Sequence, residues 1–164
     1  MNDGGLLAER VAIVTGGASG LGEAIAHRLA DEGATVVVAD IDGAAAESVA
    51  DAVVARGHNA VAVGCDVSRR ADVEAMVEEA ARLGAIRVLV LSAAIESLVP
   101  LTEISDDEWQ AVLDVNLKGP FLCMRAAIPH MGRFNALGLD AMDSFRKRSN
   151  GISADWRKCF RLSL

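Results

Sequence analysis

Along residues 10 to 91, four short apolar, β-branched runs alternate with longer stretches whose apolar residues recur at helical spacing, and this alternation restricts the possible folds more than any other property of the chain. The runs are Val11 to Thr15, Ala34 to Ala39, Ala60 to Cys65 and Arg87 to Leu91. Each is nearly continuous in apolar residues, the pattern of strands covered on both faces. Between them Leu21, Ala24, Ile25 and Leu29 fall at i, i+3, i+4 and i+8, and Val73, Met76, Val77 and Ala80 repeat the spacing, so each set predicts one buried helix face. Strands separated in this way pair in parallel through helical crossovers. The expected fold is a three-layer α/β domain with a doubly wound parallel sheet, incomplete in that about four strands are recognisable.

A chain of 164 residues with 52% apolar composition supports one core without help from disulfides or metal. Its net charge of −7 argues against the clustered basic surface that nucleic-acid phosphates require. Cys65, Cys123 and Cys159 lie far apart with no Cys-x-x-Cys pair, which fits neither a disulfide framework nor a zinc site and leads to the expectation of a reducing, cytoplasmic setting. No apolar run reaches the length of a membrane helix, and Met1 to Glu9 lacks the basic start and apolar core of a signal peptide, so no membrane partner is expected. The aromatic residues are four Phe and two Trp, with no Tyr. No mechanism confined to this chain can therefore use a phenol as its acid or base.

Ser105-Asp106-Asp107-Glu108 has the form of a capping box, with Ile104 placed to staple against Trp109, and predicts a helix start. The helical pattern runs through Val112, Val115 and Leu117 and then, after Lys118-Gly119-Pro120, through Phe121, Met124, Arg125 and Ile128, with a kink or restart expected at Pro120. After Met131 the alternation stops. Residues 132 to 164 hold four of the six aromatic residues (Phe134, Phe145, Trp156 and Phe160) and seven of the sixteen basic ones, against three aspartates. This asymmetry divides the chain into an α/β domain over 1 to 131 and an atypical basic tail over 132 to 164, expected to be disordered or read from a shifted frame.

The first run leads directly into Thr15-Gly16-Gly17-Ala18-Ser19-Gly20-Leu21-Gly22, and the helical spacing begins at once. A glycine-rich turn between a strand and a helix lets the backbone approach a pyrophosphate and aims the free N–H groups of the helix start at it. Asp40 stands eighteen residues past Gly22, at the end of the second run, where an acid accepts hydrogen bonds from an adenosine ribose. Strand, glycines, helix and acid in this order point to dinucleotide binding in a Rossmann-like domain. No Gly-Lys-Ser/Thr follows the glycines, which removes the lysine and the magnesium-binding hydroxyl of a nucleoside-triphosphate loop. An S-adenosylmethionine-dependent methyltransferase also uses a glycine turn and an acid, but the three-residue gap between Gly16 and Gly20 departs from its tighter loop.

The spacing TGxxxGxG resembles the cofactor loop of the short-chain dehydrogenase/reductase family, and later segments agree over residues 8 to about 131. Cys65-Asp66-Val67 is similar to the family's Asp-Val pair, whose carboxylate and backbone hold the adenine. Asn116, within Asp114-Val115-Asn116-Leu117-Lys118-Gly119, stands where the family keeps an Asn that holds a water relay, one of its four catalytic residues. The resemblance implies cofactor contacts from Gly16, Ser19, Gly20, Leu21, Gly22, Asp40, Asp66, Val67 and Ala93. It implies NAD rather than NADP, because Asp40 would repel a 2′-phosphate and neither Ser19 nor Ile41 is an Arg or Lys able to pair with one. A small alcohol or carbonyl substrate and oligomers packed through the helices of 105 to 131 are implied as well. From the residues themselves two further readings stay open: Asp66 as a strand-end or helix-capping acid beside Ser68, and Asn116 as a buried amide bonded to nearby backbone.

The chain also departs from that family. The fourth strand there ends in Asn-Asn-Ala-Gly, whereas this chain reads Leu91-Ser92-Ala93-Ala94 and so lacks two amides that would tie strands or line the cofactor site. The family's Tyr-x-x-x-Lys pair has no counterpart, since Lys147 follows Asp143 and Lys158 follows Ala154 at that spacing. Ser144, Ser149 and Ser153 lie in the polar tail, where a solvated serine is the ordinary case. No fifth strand is legible, which leaves Val88 to Leu91 as an apolar edge open to pairing. The expectation is a chain that binds NAD with little or no catalysis, either as the nucleotide-binding part of an oxidoreductase or as a non-catalytic regulator.

Overall fold

The computed structural model describes residues 5–131, so the tail expected over 132–164 lies outside the described residues. Strands β1 (Arg10–Thr15), β2 (Thr35–Asp40), β3 (Asn59–Gly64) and β4 (Ala85–Leu91) form one parallel sheet in the order β3-β2-β1-β4. They are the four runs of the sequence, with Cys65 falling just past the end of β3. Helices α1 (Gly20–Asp31), α2 (Gly43–Ala55) and α3 (Arg70–Leu83) supply the crossovers. From β1 the chain first builds outward to β2 and β3, then returns to place β4 on the other side. That reversal opens a crevice at the carboxyl ends of β1 and β4, where ligands bind in sheets of this kind.

Alternate strand residues feed two separate cores, which is why the strands carry no polar face. Ala12, Val14, Val36 and Val38 pack with Ala26, Ala30, Val49 and Val53 beneath α1 and α2. Val11, Ile13, Val37 and Ala39 pack on the opposite face with Val73, Met76, Val77 and Ala80 of α3. Ile13, Met76 and Ile86 are fully buried, each worth about 1.5–3 kcal/mol of transfer free energy.

The face expected for α1 needs correction. Gly22, Ala26 and Ala30 are its buried residues, Ile25 and Leu29 flank them, and Leu21 and Ala24 are exposed. Size decides here over hydrophobicity, because only a row of very small residues lets the helix backbone lie close to the sheet. Leu21 is thereby left 72% exposed at the start of the helix.

The second helical region begins at α4 (Asp106–Leu113), where Ser105 Oγ accepts from Glu108 N at 3.2 Å as the capping pattern predicts. The Glu108 carboxylate does not close the box; it accepts from Ser97 Oγ at 2.6 Å. Trp109, expected to be stapled, is 50% exposed. A π-helical turn over Asp114–Lys118 leads without a break into α5 (Gly119–Ala127). The ring of Pro120 crowds the carbonyl four residues back, at Asn116, and the widened turn accommodates it one turn earlier than the break expected at the proline. Leu122, Cys123 and Ala127 of α5 join α3 on the same face of the sheet, which completes the third layer. No described helix is long and apolar enough to cross a membrane.

Candidate functional site

At the carboxyl ends of β1, β2 and β4 lies a cleft of about 510 Å³. Eight of the nine residues expected to contact a cofactor line it: Gly16, Ser19, Gly20, Leu21, Asp40, Asp66, Val67 and Ala93. Gly22 does not; it seats α1 against the loop, since a Cβ there would overlap the Gly16 carbonyl oxygen and come within 3.1 Å of Gly17 Cα. Gly16 itself has φ +64, and a Cβ on it would lie 2.6 Å from Ala93 N, so the loop runs directly against the end of β4. Ile41, Cys65, Ser92, Ala94, Ile95 and Val115 complete the lining.

The start of α1 opens into this cleft. Its first intrahelical bond runs from Glu23 N to Ser19 O at 3.2 Å, which leaves the N–H groups of Gly20, Leu21 and Gly22 ahead of the ladder. Ser19 occupies the N-cap position, yet its side chain makes no capping bond, so its hydroxyl is available to the cleft. Free N–H groups at a helix start, with the positive end of the helix dipole behind them, favour a phosphate. Among the described residues no Lys, Arg or His lines the cleft.

Asp40, half-buried, uses both carboxylate oxygens. Oδ2 accepts from Ala18 N and Oδ1 from Asp42 N, each at 3.1 Å. Asp66 does not cap α3, whose N-cap is Arg69; its Oδ1 accepts from Ser68 N at 2.9 Å and Ser68 Oγ at 2.7 Å, closing the strand-end turn before α3, and the residue lines the cleft. Cys65 is buried beside it. Burial pushes its thiol up to about 12, with Cys123, once ionised, and the Asp72 and Asp66 carboxylates adding to the shift, so it remains a neutral thiol.

Asn116 lies outside the cleft lining but is tied to it. Its Nδ2 donates to Ile95 O at 2.8 Å and its Oδ1 accepts from Ile95 N at 2.9 Å, a reciprocal pair that fixes the segment following β4. The expected bond to nearby backbone is present, but the amide is exposed rather than buried. Two partners escaped the sequence reading. Thr15, buried, donates from Oγ1 to Val90 O at 3.3 Å and accepts from Ala93 N at 3.4 Å, while its carbonyl accepts from Ser92 N at 3.1 Å. It supplies ties between β1 and β4 in a chain that lacks the two amides at Leu91 and Ser92. Ile95 meets Asn116 through backbone alone, which no residue pattern announces.

The sequence model of the short chain dehydrogenase family matches residues 10–136. The chain is 40% identical over 123 residues to (2S)-[(R)-hydroxy(phenyl)methyl]succinyl-CoA dehydrogenase subunit BbsD of Thauera aromatica, a match covering 74% of this chain and 50% of that protein. It is 42% identical over 130 residues to cis-4-hydroxycyclohexanecarboxylate dehydrogenase of Sinomonas cyclohexanicum, covering 78% and 52% respectively. A crystal structure of a dehydrogenase/reductase from Sinorhizobium meliloti superposes with a TM-score of 0.74 at 38% identity over 77% of this chain and 51% of that one. A metagenomic short-chain oxidoreductase crystallised in complex with NADP gives 0.72 at 37% identity, over 76% and 57%. The chain thus spans about half the length of the relatives it matches.

Proposed function

We propose, for a chain that belongs to the short chain dehydrogenase family, that the cleft binds a nicotinamide dinucleotide, NAD in preference to NADP, and that residues 1–131 form its binding domain with the 132–164 tail outside it. The observation that carries this reading is the gathering of the glycine loop, the open start of α1, Asp40 and the Asp66-Val67 pair around one cleft. The residues fit the cofactor. The free N–H groups of Gly20 and Leu21 and the Ser19 hydroxyl suit a pyrophosphate, and each Asp40 oxygen keeps a second acceptor position for ribose hydroxyls. Val67 and Ile41 offer apolar walls for an adenine, and Ala93 and Ala94 bring backbone to the far end of the cleft.

Selection for NAD rests on charge. A 2′-phosphate would meet the Asp40 carboxylate, and no cation among the described cleft residues would offset it. When bound, the cofactor supplies hydride chemistry between an alcohol and a carbonyl. This chain's residues orient it, and Asn116 holds the backbone beside it through Ile95. The proton that must accompany the hydride has no phenol to carry it in this chain, so little or no turnover is expected.

Calorimetric titration of the full chain with NAD and with NADP tests the proposal. Saturable binding of NAD, at least tenfold tighter than NADP, is expected; no saturable heat from either nucleotide overturns it.

A further inference from the structure

We propose that Asp40 is a positioning residue for the glycine loop as well as a ribose contact, so that the acid selecting the cofactor also holds the phosphate-binding backbone in shape. The cofactor half of this statement rests on the function proposed above; the loop half does not. The register of β1 with β2 ends at Thr15 opposite Ala39. Beyond that point two successive loop amides still reach β2: Gly17 N donates to Ala39 O at 3.1 Å, and Ala18 N donates to Asp40 Oδ2 at 3.1 Å. The carboxylate therefore supplies an acceptor where the backbone ladder has run out. Its other oxygen accepts from Asp42 N at 3.1 Å, and Asp42 in turn caps α2 by accepting from Ala45 N at 3.0 Å. One side chain bridges the glycine loop and the entry to α2.

The chemistry of the carboxylate separates its two roles. Charge repels a 2′-phosphate, whereas the two acceptor oxygens hold two amides. Asparagine of the same shape drops the charge and keeps one acceptor, so it can satisfy Ala18 N or Asp42 N but not both. Alanine removes everything. A change at position 40 intended only to admit NADP should therefore loosen the loop that must bind either nucleotide.

Amide hydrogen exchange of the full chain by NMR, without nucleotide, tests this in the unsubstituted protein, Asp40→Asn and Asp40→Ala. In the unsubstituted protein Ala18 N–H should exchange more slowly than Leu21 N–H, which precedes the helical ladder. Loss of a hydrogen bond to a charged acceptor corresponds to about tenfold or more faster exchange of Ala18 in Asp40→Ala, with the Ile13 and Val37 amides of the sheet as folding controls. Asp40→Asn should preserve protection at only one of Ala18 and Asp42, while narrowing the NAD over NADP preference in a parallel titration. Unchanged Ala18 exchange in Asp40→Ala overturns the positioning role and leaves the ribose contact standing. Should Asp40→Ala lose protection throughout the sheet, Asp40→Asn decides, and retention of both amides overturns the proposal. Faster Ala18 exchange in a protein that binds neither nucleotide would support the brace and overturn the proposed function.

Discussion

Gly22 is the position at which a single added methyl group tests the loop most severely. It lies in the first turn of α1, directly against Gly16, and a Cβ there would overlap the Gly16 carbonyl oxygen and sit 2.8 Å from the carbonyl carbon and 3.1 Å from Gly17 Cα. All three are backbone atoms, so no side chain can rotate out of the way. Helix propensity favours alanine over glycine by about 1 kcal/mol, whereas overpacking a filled site costs about 1–3 kcal/mol and more when backbone must move. The overlap places Gly22→Ala at the upper end of that range, a net loss of about 2 kcal/mol, or roughly 4–8 °C in melting temperature for a chain of this size. Gly20→Ala is the comparison, because Gly20 has φ +55 but nothing within 4 Å of a built Cβ. Its cost is the left-handed backbone alone, about 1 kcal/mol. Thermal unfolding followed by circular dichroism, paired with NAD titration, should rank Gly22→Ala below Gly20→Ala in stability. The same substitution should lower NAD affinity at least tenfold, since the clash displaces Gly16 and Gly17. A Gly22→Ala protein that melts at or above the unsubstituted one and binds NAD equally well would refute the seating of α1 against the loop.

Alkaline pH should destabilise the domain, because burial holds the thiols of Cys65 and Cys123 protonated to about 12 and about 11, against 9 for an exposed thiol. The folded state keeps protons that the unfolded state has released, so this stabilisation is whole below pH 9 and is lost as pH climbs toward those values, by about 1.4 kcal/mol per pH unit for each thiol; urea unfolding at pH 8, 9 and 10 reads the slope, and Cys123→Ala should reduce it. The apolar residues Trp109 of α4, Leu117 of the π-helical turn, Phe121 and Met124 of α5 and Ile128 just past its end are exposed, and we expect them to pair copies of the chain. Light scattering should then show an oligomer that Phe121→Glu converts to a monomer, and an unsubstituted chain that is already monomeric at high concentration would count against it.

What was legible in the sequence is what repeats locally. The four strands and the α3 face came from periodicity, and the loop came from glycines whose positions are dictated by close approach, as at Gly16 against Ala93. The face of α1 departs from its periodicity because that pattern weights large apolar residues, while the helix buries Gly22, Ala26 and Ala30 to approach the sheet. The break expected at Pro120 falls earlier, since a missing N–H signals that a ladder must change without saying where; the turn over Asp114–Lys118 takes it up. Long-range ties were least visible. Thr15 reaches Val90 across 75 positions, and Asn116 reaches Ile95 across 21, and in both cases one partner is backbone with no residue-specific signature.

Cofactor binding and proton transfer make different demands, and the function proposed above asks only the first of the described cleft residues. Holding a dinucleotide needs backbone N–H groups, an acid for the ribose and apolar walls, all of which the first strands and their loops provide. Proton transfer near neutral pH needs a group whose charge changes there and which is free to reach the reacting oxygen. The cleft holds two carboxylates, two serines and one thiol as its protic side chains. Asp40 is engaged by Ala18 and Asp42, and Asp66 by Ser68. Burial keeps the Cys65 thiol neutral to about 12, and a serine hydroxyl has no His or Lys beside it in the cleft to accept its proton. Among the described cleft residues none offers a free acid or base in place of a tyrosine. On the function proposed above, nucleotide affinity and turnover should separate completely when both are measured on this chain.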